Sequence, residues 1–293
     1  MKAQTCAQLP MPELPEVEVL ARHLRPFIRG RRIRGVNVRR AKVLVPTSLL
    51  KFRRTLLGAK FTGLSRRGKY LLFQLQPKTG GQPLTLLGHL GMTGRIYLAR
   101  KSEPLPRHAA VVLDLGRENF IYEDTRYFGR LTLDTSAVER LGPEPLDRDF
   151  DGVAFGDSLK RSRQAIKVRL LDQALVAGIG NIYASEALFR ARISPRKPAR
   201  KLTAVQAARL WRAIRGVLKA AIQGGSTVPL NFGGNRSDGL FYFGRTADTP
   251  DYYEERLRVY GRAGRPCPRC GSLIKCIRQA GRSTFYCPCC QTA

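Results

Sequence analysis

The C-terminal stretch "CPRCGSLIKCIRQAGRSTFYCPCC", residues 267–290, restricts the fold more than any other part of the chain. Cys267 and Cys270 form one C-x2-C pair, and Cys287 and Cys290 form another, with sixteen residues between them. Two such knuckles joined by a hairpin-sized spacer place four thiolates tetrahedrally around one Zn²⁺ ion. Four protein ligands leave no open coordination position, so this zinc is expected to be structural. The spacer is basic and turns at Ala280-Gly281, which predicts a β-hairpin presenting Arg282. Cys276 and Cys289 are surplus, and Cys289 adjoins a ligand whose geometry it cannot easily share. Disulfide pairing is the competing use of these thiols. Against it stands the N-terminus "MKAQTCAQLP", which holds the isolated Cys6 and is too short and polar for an apolar signal core. A reducing compartment is therefore expected, and there clustered cysteines usually bind metal.

Charge narrows the choice of partner. The 293 residues carry 52 Lys+Arg against 22 Asp+Glu, a formal net charge of +30. Such a surplus sits on the surface and favours a polyanion through counterion release. A hydrophobic share of 43% is that of a globular protein, and the length suits two or three modest domains. No apolar run reaches the length needed to span a membrane.

Along the chain, "PELPEVEVLARHLRPFIRG" predicts a helix with Pro15 in its first turn. Val17, Leu20, Leu24 and Phe27 lie close to one face, and Pro26 with Gly30 is expected to stop it. From about 31 to 133 the pattern is that of short strands, among them "KYLLFQLQ", "RIYLA", "AVVLDL" and "NFIYED". Helices are predicted for "RQAIKVRLLDQ", for "NIYASEALFRA" and for Thr203 to about Gln223, the last with Thr203 and Gln206 spaced as a capping box. The linker "GPEPLDRDFDG" separates strands from helices, and a long Gly- and aromatic-rich segment follows the last helix.

The turn "AGIG" stands immediately before Asn181. Its glycines permit close backbone approach, and the helix that follows offers unpaired N–H groups to a phosphate. An ordinary helix–helix turn would read the same way. The upstream Arg161, Arg163, Lys167 and Arg169 favour nucleic acid.

Three distant stretches, "MPELPEVE" at 11–18, "GIGNIYASE" at 178–186 and the tail "GRSTFYCPCCQ", resemble the formamidopyrimidine-DNA glycosylases of the Fpg/Nei superfamily. Between them, in the family's order, fall "RRGKYLL", "HLGMTG", "DTRYFG" and "LGPEPL". The resemblance runs from Met11 to the end. It implies an α+β multidomain fold: an N-terminal β-sandwich with a helix, a helix-two-turn-helix α domain and a C-terminal zinc-finger β-hairpin. Expected boundaries are a non-family extension at 1–10, a catalytic sandwich at 11–145 and a helical DNA-binding domain at 146–225. A lesion-recognition loop and connector at 226–258 and a zinc finger at 259–293 complete the order.

The implied chemistry is that of a bifunctional DNA glycosylase and lyase acting on double-stranded DNA with oxidised bases or abasic sites. Pro12 would be the nucleophile, forming a Schiff base with the sugar of a flipped-out nucleotide. Glu13 would protonate the sugar's ring oxygen, and Lys69 would contact phosphate and assist elimination. Arg282 would grip phosphate and serve as proton donor in the last elimination, although a bare hairpin arginine more often only binds phosphate. Met92, Arg126 and Phe128 would fill the hole left by the extruded base. Without the resemblance, Met92 and Phe128 read as core residues and Lys69 as an exposed strand lysine. His108, Asn181 and Arg163 match positions that contact the DNA backbone.

Tyr127 departs from the pattern, since several relatives carry a basic residue there. The expanded segment at 224–253 leaves the choice of base open. Oxidised purines are expected as substrates. An oxidised-pyrimidine glycosylase and a non-catalytic zinc-dependent damaged-DNA-binding protein are the competing readings. A monomer in a bacterial cytoplasm is the expected setting. Because an amide-bound proline cannot attack, either the chain truly starts at Met11 and loses it, the reading favoured here, or its first eleven residues are cut off, and each route frees the Pro12 amine.

Overall fold

The computed structural model describes residues 11–225 and 257–292. The expected extension at 1–10, with Cys6, and all but the last two residues of the expected loop at 226–258 lie outside the described residues. Those described divide into two compact units: one takes in 16–140, the other 11–15, 141–224 and 257–292.

Helix α1 spans Leu14–Ile28. Pro26 lies inside it and does not stop it: a proline removes one N–H, and the next turn still closes through Arg29 N–H to the Arg25 carbonyl at 3.1 Å. The turn that ends α1 uses Gly30 at φ 85. The apolar stripe runs through Val17, Leu20, Leu24 and Ile28, and Phe27, one residue off that line, is 53% exposed.

Eight strands follow: β1 (Gly35–Val38), β2 (Lys60–Arg67), β3 (Tyr70–Gln76), β4 (Leu84–His89), β5 (Gly94–Arg100), β6 (Ala109–Asp114), β7 (Glu118–Asp124) and β8 (Arg130–Thr132). They form two antiparallel sheets, ordered β1-β6-β7-β5 and β2-β3-β4-β8. In β3 the alternation is regular, with Leu71, Phe73 and Leu75 fully buried between partly exposed neighbours. Phe61 and Phe73 of one sheet meet Phe120 of the other, ring centroids 6.0 and 5.4 Å apart, which makes the pair of sheets a sandwich with an aromatic centre. Helix α2 (Leu49–Leu56) interrupts the region expected to hold only strands, its N-terminus capped by Ser48, and a single turn α3 (Ser136–Glu139) closes the unit.

In the other unit, α4 (Gly152–Lys160) starts at the Asp151 cap inside the stretch expected to be a linker. The helix expected over 163–173 is only α5, Ile166–Leu170, because Asp172 turns back to accept from the Ala174 N–H and pairs with Arg169. Helices α6 (Asn181–Arg190) and α7 (Ala204–Gly225) stand as expected, and Thr203 and Gln206 exchange both capping-box hydrogen bonds. Strands β9 (Lys275–Gln279) and β10 (Arg282–Tyr286) form the predicted hairpin, with Ala280 and Gly281 both at positive φ. The hairpin packs on α6 through Phe189, Val259, Ile274 and Phe285. Among the described residues, no helix is long and apolar enough to cross a membrane.

Candidate functional site

The four cysteine sulfurs of Cys267, Cys270, Cys287 and Cys290 all lie within 4.8 Å of one another. Cys267 and Cys290 are 4.0 Å apart, and Cys270 and Cys287 3.5 Å. Zn–S bonds of about 2.3 Å in a tetrahedron put sulfurs about 3.8 Å apart, so the group fits one zinc ion. Each knuckle turns a backbone N–H onto its first sulfur, Arg269 to Cys267 at 3.4 Å and Cys290 to Cys287 at 3.3 Å. Gln291, absent from the sequence expectations, is buried behind them: it accepts from the Cys287 N–H and donates to the Ile193 carbonyl, tying the finger to the end of α6.

At the start of α6 the turn does something other than wait for a phosphate. Its exposed-looking N–H groups are already taken by Glu13, which is 2% exposed. One carboxylate oxygen accepts from Gly180 N–H at 2.7 Å and Tyr183 N–H at 3.3 Å, the other from Ile182 N–H at 2.8 Å. An anionic side chain thus serves as the cap of a helix whose own first residues supply none. Leu14 N–H donates to the Gly178 carbonyl, so the backbone beside Pro12 is pinned as well, and Pro12 itself is buried.

Lys167 joins this group rather than the surface. It is 1% exposed, and its Nζ donates to Asn181 Oδ1 at 2.5 Å. Burial lowers its pKa to about 8, opposed by Glu13 and assisted by the charge of Arg282. Asn181 in turn donates to the Ser283 carbonyl at 2.9 Å, next to Arg282, which is exposed at the hairpin turn. Of the four basic residues read as a phosphate-facing run, Lys167 is therefore interior and Arg169 is paired with Asp172. Arg163 is exposed in the connection before α5.

In the sandwich unit, Lys69 follows Gly68 in the two-residue connection between β2 and β3, and at 7% exposure it is no exposed strand lysine. Its charge is one of the influences on His89, whose pKa is pushed down to about 4, chiefly by burial.

The predicted trio does meet. Arg126 Nη1 reaches Met92 Sδ at 3.5 Å, and its guanidinium lies 4.8 Å from the centroid of Phe128, which is 51% exposed. Neither Met92 nor Phe128 is core. The sequence reading missed the residue that shapes this corner. Asp124, fully buried, accepts from Thr93 Oγ1 at 2.6 Å, from Arg126 N–H at 3.1 Å and from Gly129 N–H at 2.8 Å. The turn leaves Tyr127 at φ 52 with His108 beside it, ring centroids 6.5 Å apart. The guanidinium of Arg40, two residues past β1, lies 5.7 Å from the Tyr127 ring centroid and so sets a cation beside the tyrosine.

Three family domains match in the order the fold presents them: the formamidopyrimidine-DNA glycosylase N-terminal domain over 11–131, its H2TH domain over 141–231, and the zinc finger found in FPG and IleRS over 264–293. The chain belongs to the formamidopyrimidine-DNA glycosylase family. Curated family members from Thermus thermophilus and Desulfitobacterium hafniense are 43% and 41% identical to it. The alignments cover 96% of this chain in both cases, and 98% and 100% of the respective relative. Lactococcus lactis Fpg, solved with abasic-site DNA and with DNA containing N7-benzyl-Fapy-dG, superposes at a TM-score of 0.83 in each complex. It is 34% identical, over 96% of this chain and all of that one. The family's zinc finger agrees with the four-sulfur cluster, and the chain carries one structural zinc site.

Proposed function

We propose that this DNA repair glycosylase excises oxidised purines, 8-oxoguanine and formamidopyrimidines, from duplex DNA and then cleaves the strand at the abasic site. The observation that carries the reading is the seat of Glu13: the carboxylate next to Pro12 is fixed on the N-terminus of α6, in one cluster with Lys167 and Asn181. A base held that firmly beside a free proline amine has a defined task. The Pro12 nitrogen attacks C1′, Glu13 takes the amine's proton and passes it to the ring oxygen O4′, the ring opens and the base departs. The base leaves with a proton from water; the iminium left behind acidifies C2′–H and then C4′–H, and as each proton passes to water the 3′ and then the 5′ phosphate leaves by β- and δ-elimination. Lys69 and Arg282 are the phosphate-side cations of these steps. Met92, Arg126 and Phe128 fill the vacated stack, and His108, Asn181 and Arg163 hold the backbone. The Lactococcus lactis complexes with abasic-site and N7-benzyl-Fapy-dG DNA support the abasic-site and formamidopyrimidine parts of this reading. We take the working form to be a monomer in the bacterial cytoplasm with Pro12 at its N-terminus.

Borohydride trapping tests the reading. Zinc-loaded protein beginning at Pro12 should give a covalent complex with duplexes carrying 8-oxoguanine or an abasic site, and weaker trapping with thymine glycol. Protein that keeps Pro12 in an amide should bind the same DNA and give no adduct. Absence of an adduct from the Pro12-start protein, or a preference for thymine glycol, would overturn the mechanism or the substrate class respectively.

A further inference from the structure

A cleft of about 460 Å³ opens beside the zinc ligands, away from Glu13. Arg192, Arg209 and Arg269 line it together with Cys270 and Cys290, and among the described residues no acidic one does. Among the described residues none of the three arginines is ion-paired with a carboxylate. The Nε–H of Arg209 is enclosed and has no hydrogen-bond partner there. Buried donors of this kind are rarely left unused.

Arg192 adds an independent sign. It follows the C-cap residue Ala191 of α6, in the position that glycine usually takes: Ile193 N–H bonds back to the Leu188 carbonyl and Arg192 N–H to the Phe189 carbonyl, with Arg192 at φ 56. An arginine there is strained, and strain of this sort persists where the side chain it places has a use. Arg269 is fixed twice, by its guanidinium over the Phe189 ring at 5.4 Å and by its own N–H on Cys267 Sγ.

Among the described residues the cleft holds no carboxylate, but its wall supplies the negative charge. Four thiolates around Zn²⁺ carry a net charge of about −2, and a charge of that size beside a protein interior needs counter-charge. We infer that Arg192, Arg209 and Arg269 form a cationic cradle for the zinc tetrathiolate, holding the metal centre electrostatically from the cleft that Cys270 and Cys290 line. The finger's grip on zinc then depends on residues from α6, α7 and the first knuckle.

Zinc transfer from the full-length protein to a chromogenic chelator tests this. In R209Q and R269Q the apparent zinc dissociation constant should rise about tenfold or more, as loss of an outer-shell partner typically does. R209K should stay within about threefold of the parent because the charge remains. The gap between parent and R209Q should narrow in high salt. In R192G, where glycine also relieves the positive φ, zinc affinity should fall by a similar factor. The inference is overturned if R209Q and R269Q bind zinc within about twofold of the parent. It is also overturned if inorganic phosphate raises the parent's melting temperature through Arg209 while zinc affinity is the same in both, since the cleft would then be an anion site.

Discussion

Glu13 and Gly180 meet across 167 residues of sequence, the glycine's N–H donating to the carboxylate at 2.7 Å. Gly180 is at φ −129, which any residue adopts, so its conformation is not the reason for glycine. Space is: a Cβ there would overlap the Glu13 carboxyl carbon. Gly180→Ala is expected to eject the carboxylate, leave the first N–H groups of α6 without their acceptor, and cost about 2 kcal/mol or more of stability. With Glu13 misplaced, borohydride trapping should fall by about 100-fold, the low end of what a positioned acid–base group contributes. Denaturant titration and single-turnover trapping on the same preparation check both parts. Normal trapping by a destabilised protein would remove Glu13 from the chemistry.

Lys167 is a buried cation whose charged form is disfavoured. Its pKa in the folded protein is about 8, against 10.5 for the ordinary side chain, so between those values the unfolded chain binds the proton more strongly than the folded one. Stability from this group therefore rises as pH rises from about 8 to 10.5, by up to about 3 kcal/mol. Lys167→Met removes the titration. The variant should be as stable as the parent or more so at neutral pH, lose that advantage by pH 10.5, and process lesion DNA more slowly because Asn181 has lost its donor. A stability difference that does not change with pH would show the lysine to be solvated.

These two sites mark where the sequence stops being legible. The zinc ligands could be read because their spacing is local, and so could the hairpin, whose turn residues sit between its strands. The same holds for the α7 cap, where Thr203 and Gln206 are three residues apart. Glu13 offers no such signal: its partners are backbone N–H groups, which every residue but proline has, far along the chain. Lys167 reads as surface because lysine usually is, and only the fold encloses it. Helix α2 went unseen because "LLKFRRTL" buries only Phe52 and Leu56, too short a stripe to show a period. Helix α4 begins at a glycine and carries a second, Gly156, which hides it among linker residues. Asp124 opens the stretch "DTRYFG" without any local mark of its role, since a buried turn acid and an exposed one look alike in sequence.

Asp124 carries the next expectation. Both of its oxygens accept, from Thr93, Arg126 and Gly129, and it is fully buried. Asp124→Asn replaces one acceptor by an amide NH₂ that faces a donor. The loss expected is about 1–3 kcal/mol, the cost of an unsatisfied buried group. The turn holding Arg126 and Phe128 should loosen with it, so affinity for a duplex with an abasic site should drop more than affinity for intact duplex. Parallel binding titrations on the two duplexes decide the point: equal losses would mean the corner has no part in filling the gap.

His89 gives the fold an acid limit. Burial is the main cause that lowers its pKa to about 4 from 6.5, with the charges of Lys69 and Arg130 adding to it and Asp124 opposing. The neutral ring accepts from the Gly91 N–H through Nδ1 at 3.2 Å and lies against Tyr70, centroids 4.8 Å apart. A folded pKa below the unfolded one means that the unfolded chain takes up the proton first as pH falls. The contribution is therefore intact above pH 6.5 and is lost progressively down to about pH 4, where the loss has reached about 3 kcal/mol. His89→Gln keeps an acceptor for Gly91 without the titration. It should be somewhat less stable than the parent at neutral pH and should lose less of its stability between pH 6.5 and 4. Urea midpoints measured across that window should converge, and parallel pH curves for the two proteins would place the acid sensitivity in some other group.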